Sequence, residues 1–126
     1  MTAKFLTCPL FTETLKEKLA QYGNQLASKY EEFLRIKQQD PMQKFSSKDA
    51  PFSSDGILKY AIPNETLLHA HLMHDINILY TLKGRNPTEI KLYGIFTHDE
   101  IGTGQPPNLK RQKQITRQLA NQTNLF

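Results

Sequence analysis

Over residues 67–100 the chain reads LLHAHLMHDINILYTLKGRNPTEIKLYGIFTHDE, and apolar residues recur there at every second position. Period two marks strands with one face against a core, because successive side chains point to opposite faces. Leu68, Ala70 and Leu72 alternate with His69 and His71. Ile76, Ile78, Tyr80 and Leu82 make a second strand, and Ile90, Leu92, Gly94 and Phe96 a last one. Asp75 falls in the tight turn between the first two, and Gly84-Arg85-Asn86-Pro87 forms the next turn. Just upstream, Leu58, Tyr60 and Ile62 alternate in the same way before Pro63-Asn64. Three or four short strands joined by tight turns predict an antiparallel meander with one face packed and one face open. All four histidines of the chain, His69, His71, His74 and His98, lie within this stretch.

The first forty residues have the other period. Phe11, Leu15, Leu19, Tyr22 and Leu26 fall at helical spacing, and Gly23-Asn24 supplies a break. Ser28 with Glu31 three residues on matches a capping box, which predicts a second helix starting there and ending before Pro41. It carries Tyr30, Phe33 and Leu34 on one side. Residues 4–8 (KFLTC) read as a brief edge strand stopped by Pro9. Residues 42–56, rich in Ser, Lys, Asp and Pro, read as a long loop tacked to the core by Phe45 and Phe52. The expected fold is α+β: an N-terminal helical hairpin packed on a small antiparallel sheet, with a C-terminal basic helix.

That last helix follows from charge. All twelve acidic residues lie at or before Glu100, together with twelve of the sixteen basic ones, so the first hundred residues are neutral. Beyond them Lys110, Arg111, Lys113 and Arg117 stand without any acid. Such asymmetry suggests a segment that meets a polyanion or an acidic partner; the plainer alternative is a solvated basic helix. Asn108 is a good N-cap for LKRQKQITRQLANQ, whose apolar face is only Ile115 and Leu119. With so little to bury, it reads as a surface or partner element. Residues 1–104 are expected to form the folded domain and residues 105–126 a basic extension of it. At 126 residues one domain is expected. The lone Cys8 makes no internal disulfide, which fits a reducing compartment. No leader pattern and no run of about 18 apolar residues is found, so a cytoplasmic protein without membrane contact is expected.

Chemistry concentrates on the histidines. His69 and His71, two apart on a strand, share a face, and Asp75 in the next turn is placed to orient an imidazole. His98, just past the last strand, can reach across that face. Histidine alone has an unperturbed pKa near neutrality, so these are natural proton carriers at pH 7. RNA can be cleaved by such groups: a base takes the 2′-OH proton, the oxygen attacks phosphorus, and an acid protonates the departing 5′-oxygen. His71 and His98 suit those two roles, with His69 in support and Lys59 or Arg85 as electrostatic helpers. A zinc site built on His69-x-His71 is the metal alternative, but no cysteine lies nearby and the ligands must converge from two strands. The plainest alternative is a set of hydrogen-bonded surface histidines.

HAHLMHDINILYTLKG followed by IKLYGIFTHDE resembles the C-terminal half of RelE/ParE-superfamily toxins, nearest the YafQ-like branch. The resemblance covers about forty residues. It implies a ribosome-dependent messenger-RNA endonuclease, working without metal or cofactor and inhibited by a cognate antitoxin protein. Motif by motif, His71 matches the strand histidine, Asp75 the turn aspartate and His98 the histidine of the last strand. Two features depart from that pattern. Residues 49–55 hold no upstream histidine, and Gly102 stands where an aromatic residue is expected. Base stacking therefore has to come from elsewhere, from Tyr93 or from the long loop. The tail beyond Gly102 has no counterpart; Lys110, Arg111, Lys113 and Arg117 are its expected RNA contacts. The same superfamily includes ParE-like members that poison DNA gyrase, and a third possibility is a non-catalytic nucleic-acid-binding module.

Overall fold

Most of the periods become the elements they dictate, and the departures are local. The computed structural model describes residues 3–46, 49–52, 56–83 and 88–126. Along them run β1 (Lys4–Thr7), α1 (Pro9–Tyr22), α2 (Asn24–Gln39), β2 (Ala50–Pro51), a 3₁₀ turn (Leu58–Tyr60), β3 (Leu67–Met73), β4 (Ile76–Leu82), β5 (Glu89–Phe96), α3 (His98–Ile101) and α4 (Leu109–Gln122). The turn expected at residues 84–87, and Arg85 with it, lies outside the described residues. No helix of the described residues is long and apolar enough to cross a membrane.

The strands form one five-stranded sheet in the order β1-β5-β4-β3-β2. β2 through β5 are antiparallel neighbours, but β1 pairs parallel with β5, Lys4 opposite Glu89 and Thr7 opposite Leu92. The sheet is therefore mixed, which corrects the all-antiparallel expectation. β1 precedes the helices and is carried to the far edge by the chain between, as parallel pairing requires. Past the end of β1 the first turns of α1 satisfy the open edge of β5. Cys8 Sγ donates weakly toward the carbonyls of Leu92 and Tyr93, at 3.6 and 3.7 Å, and Ile95 N donates to Thr14 Oγ1 at 3.0 Å.

Both sheet faces are covered. On one, Phe11, Leu26 and Phe33 from the helical hairpin meet Ala70, Leu72, Ile78, Tyr80, Ile90 and Leu92. Phe33 packs edge-on against Phe45 and Tyr80, with centroids 5.7 and 5.4 Å away. On the other, Leu58, Ile62, Leu67, Leu79, Tyr93 and Phe96 meet Ile101, Ile115 and Leu119. α4 is thus a core element, not the surface appendage its composition suggests. Two apolar residues suffice because Gln112 is buried beside them, its Oε1 accepting from Ile57 N and its Nε2 donating to Gly102 O. Two further expectations are corrected. α2 begins directly after Gly23, so Ser28 is mid-helix and caps nothing. Leu58 and Tyr60 do not share a strand face; in the 3₁₀ turn Leu58 is buried and Tyr60 is 72% exposed.

Candidate functional site

β3 and β5 deliver the histidines by different means. On β3 simple alternation suffices: Leu67, His69 and His71 take the α4 side of the sheet, and Leu68, Ala70 and Leu72 the hairpin side. On β5 the alternation is broken. Leu79 pairs with Gly94 and Tyr80 with Leu92, leaving Tyr93 as an extra residue in the ladder. Such a bulge swaps the faces of everything beyond it. Ile90 and Leu92 face the hairpin, yet Phe96 faces α4, contrary to the even alternation read from the sequence. The Phe96 ring lies over Gly94, where any Cβ would collide with it. The bulge therefore brings His98 to the side that already holds His69 and His71.

The position of His98 is then pinned from three directions. It opens α3, capped by Thr97, whose Oγ1 accepts from Glu100 N at 3.2 Å while Glu100 Oε1 accepts from Thr97 N at 2.8 Å. Asp75, in the left-handed region at φ 58°, accepts from the backbone N of His98 at 3.0 Å. The turn aspartate thus positions a histidine through its main chain, not through its ring. Third, His98 Nδ1 lies 2.7 Å from Thr103 Oγ1, leaving Nε2 as the nitrogen for proton exchange. Behind α3, the Lys18 ammonium of α1 sits 2.8 Å from Glu100, its side chain only 4% exposed. Burial opposes the Lys18 charge, but Glu100 and Glu17 outweigh it and raise its pKa. Burial likewise opposes the Glu100 charge, and Lys18 with the Thr97 N–H brings its pKa below the ordinary value.

Three imidazoles converge. Ring centroids are 5.3 Å apart for His71 and His98, 5.7 Å for His69 and His71, and 6.5 Å for His69 and His98. His69 is stacked on Phe52, 4.5 Å away and 14° from parallel. Burial, then the charges of His71 and His98, lower its pKa despite the Ala50 backbone and Asp49. Asn77 lies opposite His71 in the ladder, fully buried, with Nδ2 donating to Phe96 O at 3.3 Å. Among the described residues no group of three or more His, Cys, Asp or Glu could hold a metal ion.

Two cavities open on either side of His98, Thr103 and Gln105. The wider, about 940 Å³, is lined by His71, Met73, His74, Asp75 and Ser46. The narrower, about 250 Å³, runs back toward His69, Phe52 and Gln112. Ser46 reaches the wide cleft because buried Asp49 gathers its loop, accepting from Phe45 N, Ser46 N and Ser46 Oγ while facing the Lys37 ammonium at 3.6 Å. Burial lowers the pKa of Lys37, and Asp49 partly offsets it.

The remaining expected residues lie elsewhere. Lys59 is in the wall of neither cavity, its ammonium resting 4.7 Å from the Tyr60 ring. Lys110, Lys113 and Arg117 are exposed on α4, whereas Arg111 donates through Nε to Glu100 O at 2.6 Å and braces α3. Tyr93 is buried under Phe126, and burial followed by the Glu65 charge pushes its phenol up to about 12, so it cannot stack on a base. Thr103, Lys18, Asn77 and Phe52 join the site with no motif in the sequence to mark them. The Thr97-x-x-Glu100 spacing was the readable sign that His98 opens a capped turn. No protein-family model matches the chain, and none of the curated proteins matches it.

Proposed function

We propose that this protein is the toxin of a toxin–antitoxin pair, an endonuclease that cuts messenger RNA on the ribosome by acid–base catalysis. The observation that carries this reading is the His71–His98 pair, 5.3 Å apart at the edge of a cleft of about 940 Å³. A phosphodiester seated between them has a base for its 2′-OH on one side and an acid for its 5′-oxygen on the other. The 2′-oxygen bonds to phosphorus, the bond to the 5′-oxygen breaks, and one proton leaves the first oxygen as another reaches the second. Asp75 and Thr103 hold His98 in place by its backbone and its Nδ1. The ribosome and the antitoxin enter through the resemblance of residues 67–100. An antitoxin would cover the histidine face; displacing α4 instead would expose buried Ile115 and Leu119. Lys110, Lys113 and Arg117 would meet ribosomal RNA phosphates.

The test maps RNA ends on messenger-programmed ribosomes. Cuts that need the ribosome, survive EDTA and vanish with His98→Ala are the expected result. Intact RNA with active wild-type protein would sink the nuclease and turn attention to DNA gyrase as the target.

A further inference from the structure

We infer that the narrow cavity behind the histidine pair is a nucleobase pocket, receiving one base of the RNA next to the cut, with the Phe52–His69 stack in its wall. The words "next to the cut" rest on the nuclease reading; the affinity for a base does not.

Its walls select for a neutral ring. Phe52, Leu58, Pro51 and Pro107 supply apolar surface, and none of the ten lining residues among those described is Lys, Arg, Asp or Glu. A phosphate entering there would lose its water and meet no Lys or Arg among the described lining residues, whereas an uncharged heterocycle gives up less hydration. The volume agrees: about 250 Å³ falls just below the range of roughly 300–1,000 Å³ typical of drug-sized sites, so the space suits one ring system and not a length of chain. Bases stack on aromatic side chains whatever their identity, so a pocket with an aromatic wall gives affinity first and selectivity second.

Apart from His69 and Gln112 in the walls, the polar side chains among the described lining residues stand at the entrance. Thr103 and Gln105 belong to this cavity and to the wide cleft alike, and so does His98. A base entering here therefore hangs from a backbone that passes His98. Gln112 is different. Both ends of its amide are committed, to Ile57 N and to Gly102 O, at 3.0 and 2.8 Å. It is a rigid floor that reads nothing. Gly56 packs so closely on it that a Cβ would stand 2.8 Å from Oε1. Gln105, exposed at the rim, is the one amide among the described lining residues left to read the hydrogen-bonding edge of a base.

Deoxydinucleotides test the pocket without turnover, because they lack the attacking 2′-OH. Titrating all sixteen against the full chain should give saturable NMR shifts at the His69 ring and at Phe52. Pro107→Trp, an exposed position outside the helices, should plug the cavity and weaken binding by about tenfold or more. Pro51→Trp fills it from the opposite wall, should the first variant fail to fold. On ribosomes the plug should also shift which base stands beside the cut. Shifts confined to His71 and His74, or a plug that changes binding less than about twofold, would overturn the pocket. Cleavage with no shift at His69 removes the pocket and leaves the nuclease. Shifts at His69 with no cleavage by wild-type protein remove the nuclease and leave the pocket.

Discussion

The two faces of the sheet do different work with similar material. The hairpin face packs Phe11, Leu26 and Phe33 against a largely apolar surface, opening only toward β2 in a cleft of about 240 Å³ beside the buried Lys37–Asp49 pair. The α4 face is filled over only part of its area; where Leu67 gives way to His69 and His71, the core stops and the cavities begin. Aromatic residues serve both sides, but Phe33 packs edge-on within the core and Phe52 stacks on a histidine. Both faces hold a buried apolar cluster, and the α4 face gives up part of its packing to a site.

Five measurements sharpen or break that contrast, beginning with the largest. His98→Ala should lower cleavage by about 10²- to 10⁴-fold while urea unfolding stays close to wild type, since a half-buried ring at the cleft supports little packing. An equal loss of stability would mean that the site is structural. Phe33→Ala, on the hairpin face, should cost about 3–5 kcal/mol, seen as a lower urea midpoint at unchanged slope. Leu119→Ala decides whether α4 belongs to the second core. Burial predicts about 2–5 kcal/mol, whereas a change within about 0.5 kcal/mol would return the helix to the surface.

The fourth concerns the clamp that joins the two regions. Glu100 has a folded pKa below its unfolded value of about 4.5, so its contribution is complete above that value and fades as pH falls through the lowered one. Lys18 is shifted the other way, so its contribution is complete below about 10.5 and fades as pH rises through the raised value. Between those limits Glu100→Gln should melt below wild type, and the two curves should converge in acid. A gap that persists unchanged at pH 2 would show that the ion pair is not its source. Smallest is Lys113→Ala. Stability should move by less than about 0.5 kcal/mol, while the salt dependence of ribosome binding loses about one unit of slope.

Much of this plan was legible in the residues. Period two placed His69 and His71 on one face, and helical spacing found α1 and α2 to within a few residues. What escaped has physical reasons. The bulge is silent because Gly94 and Phe96 alternate with their neighbours whether or not Tyr93 pairs. α4 looked too polar because a pattern counts Gln112 as a surface residue, although its amide is fully satisfied inside. Lys18 and Lys37 were passed over for the same cause: their partners, Glu100 and Asp49, are distant in sequence. β1 read as an edge strand, and it is one, but four residues carry no mark of which strand they join or in which direction.

The extra residue at Tyr93 behaves like a shifted reading frame in the pleat. Upstream of it, even-numbered positions of β5 address the hairpin; downstream, the same parity addresses the cavities. Regular pairing through Tyr93 would undo the shift, because Gly94 and every residue after it would slide one place along β4 and change face. Every side chain would keep its chemistry, while His98 would be handed to the opposite side of the sheet from His69 and His71. The three imidazoles meet by virtue of a count, and that count is set by one residue left out of the ladder.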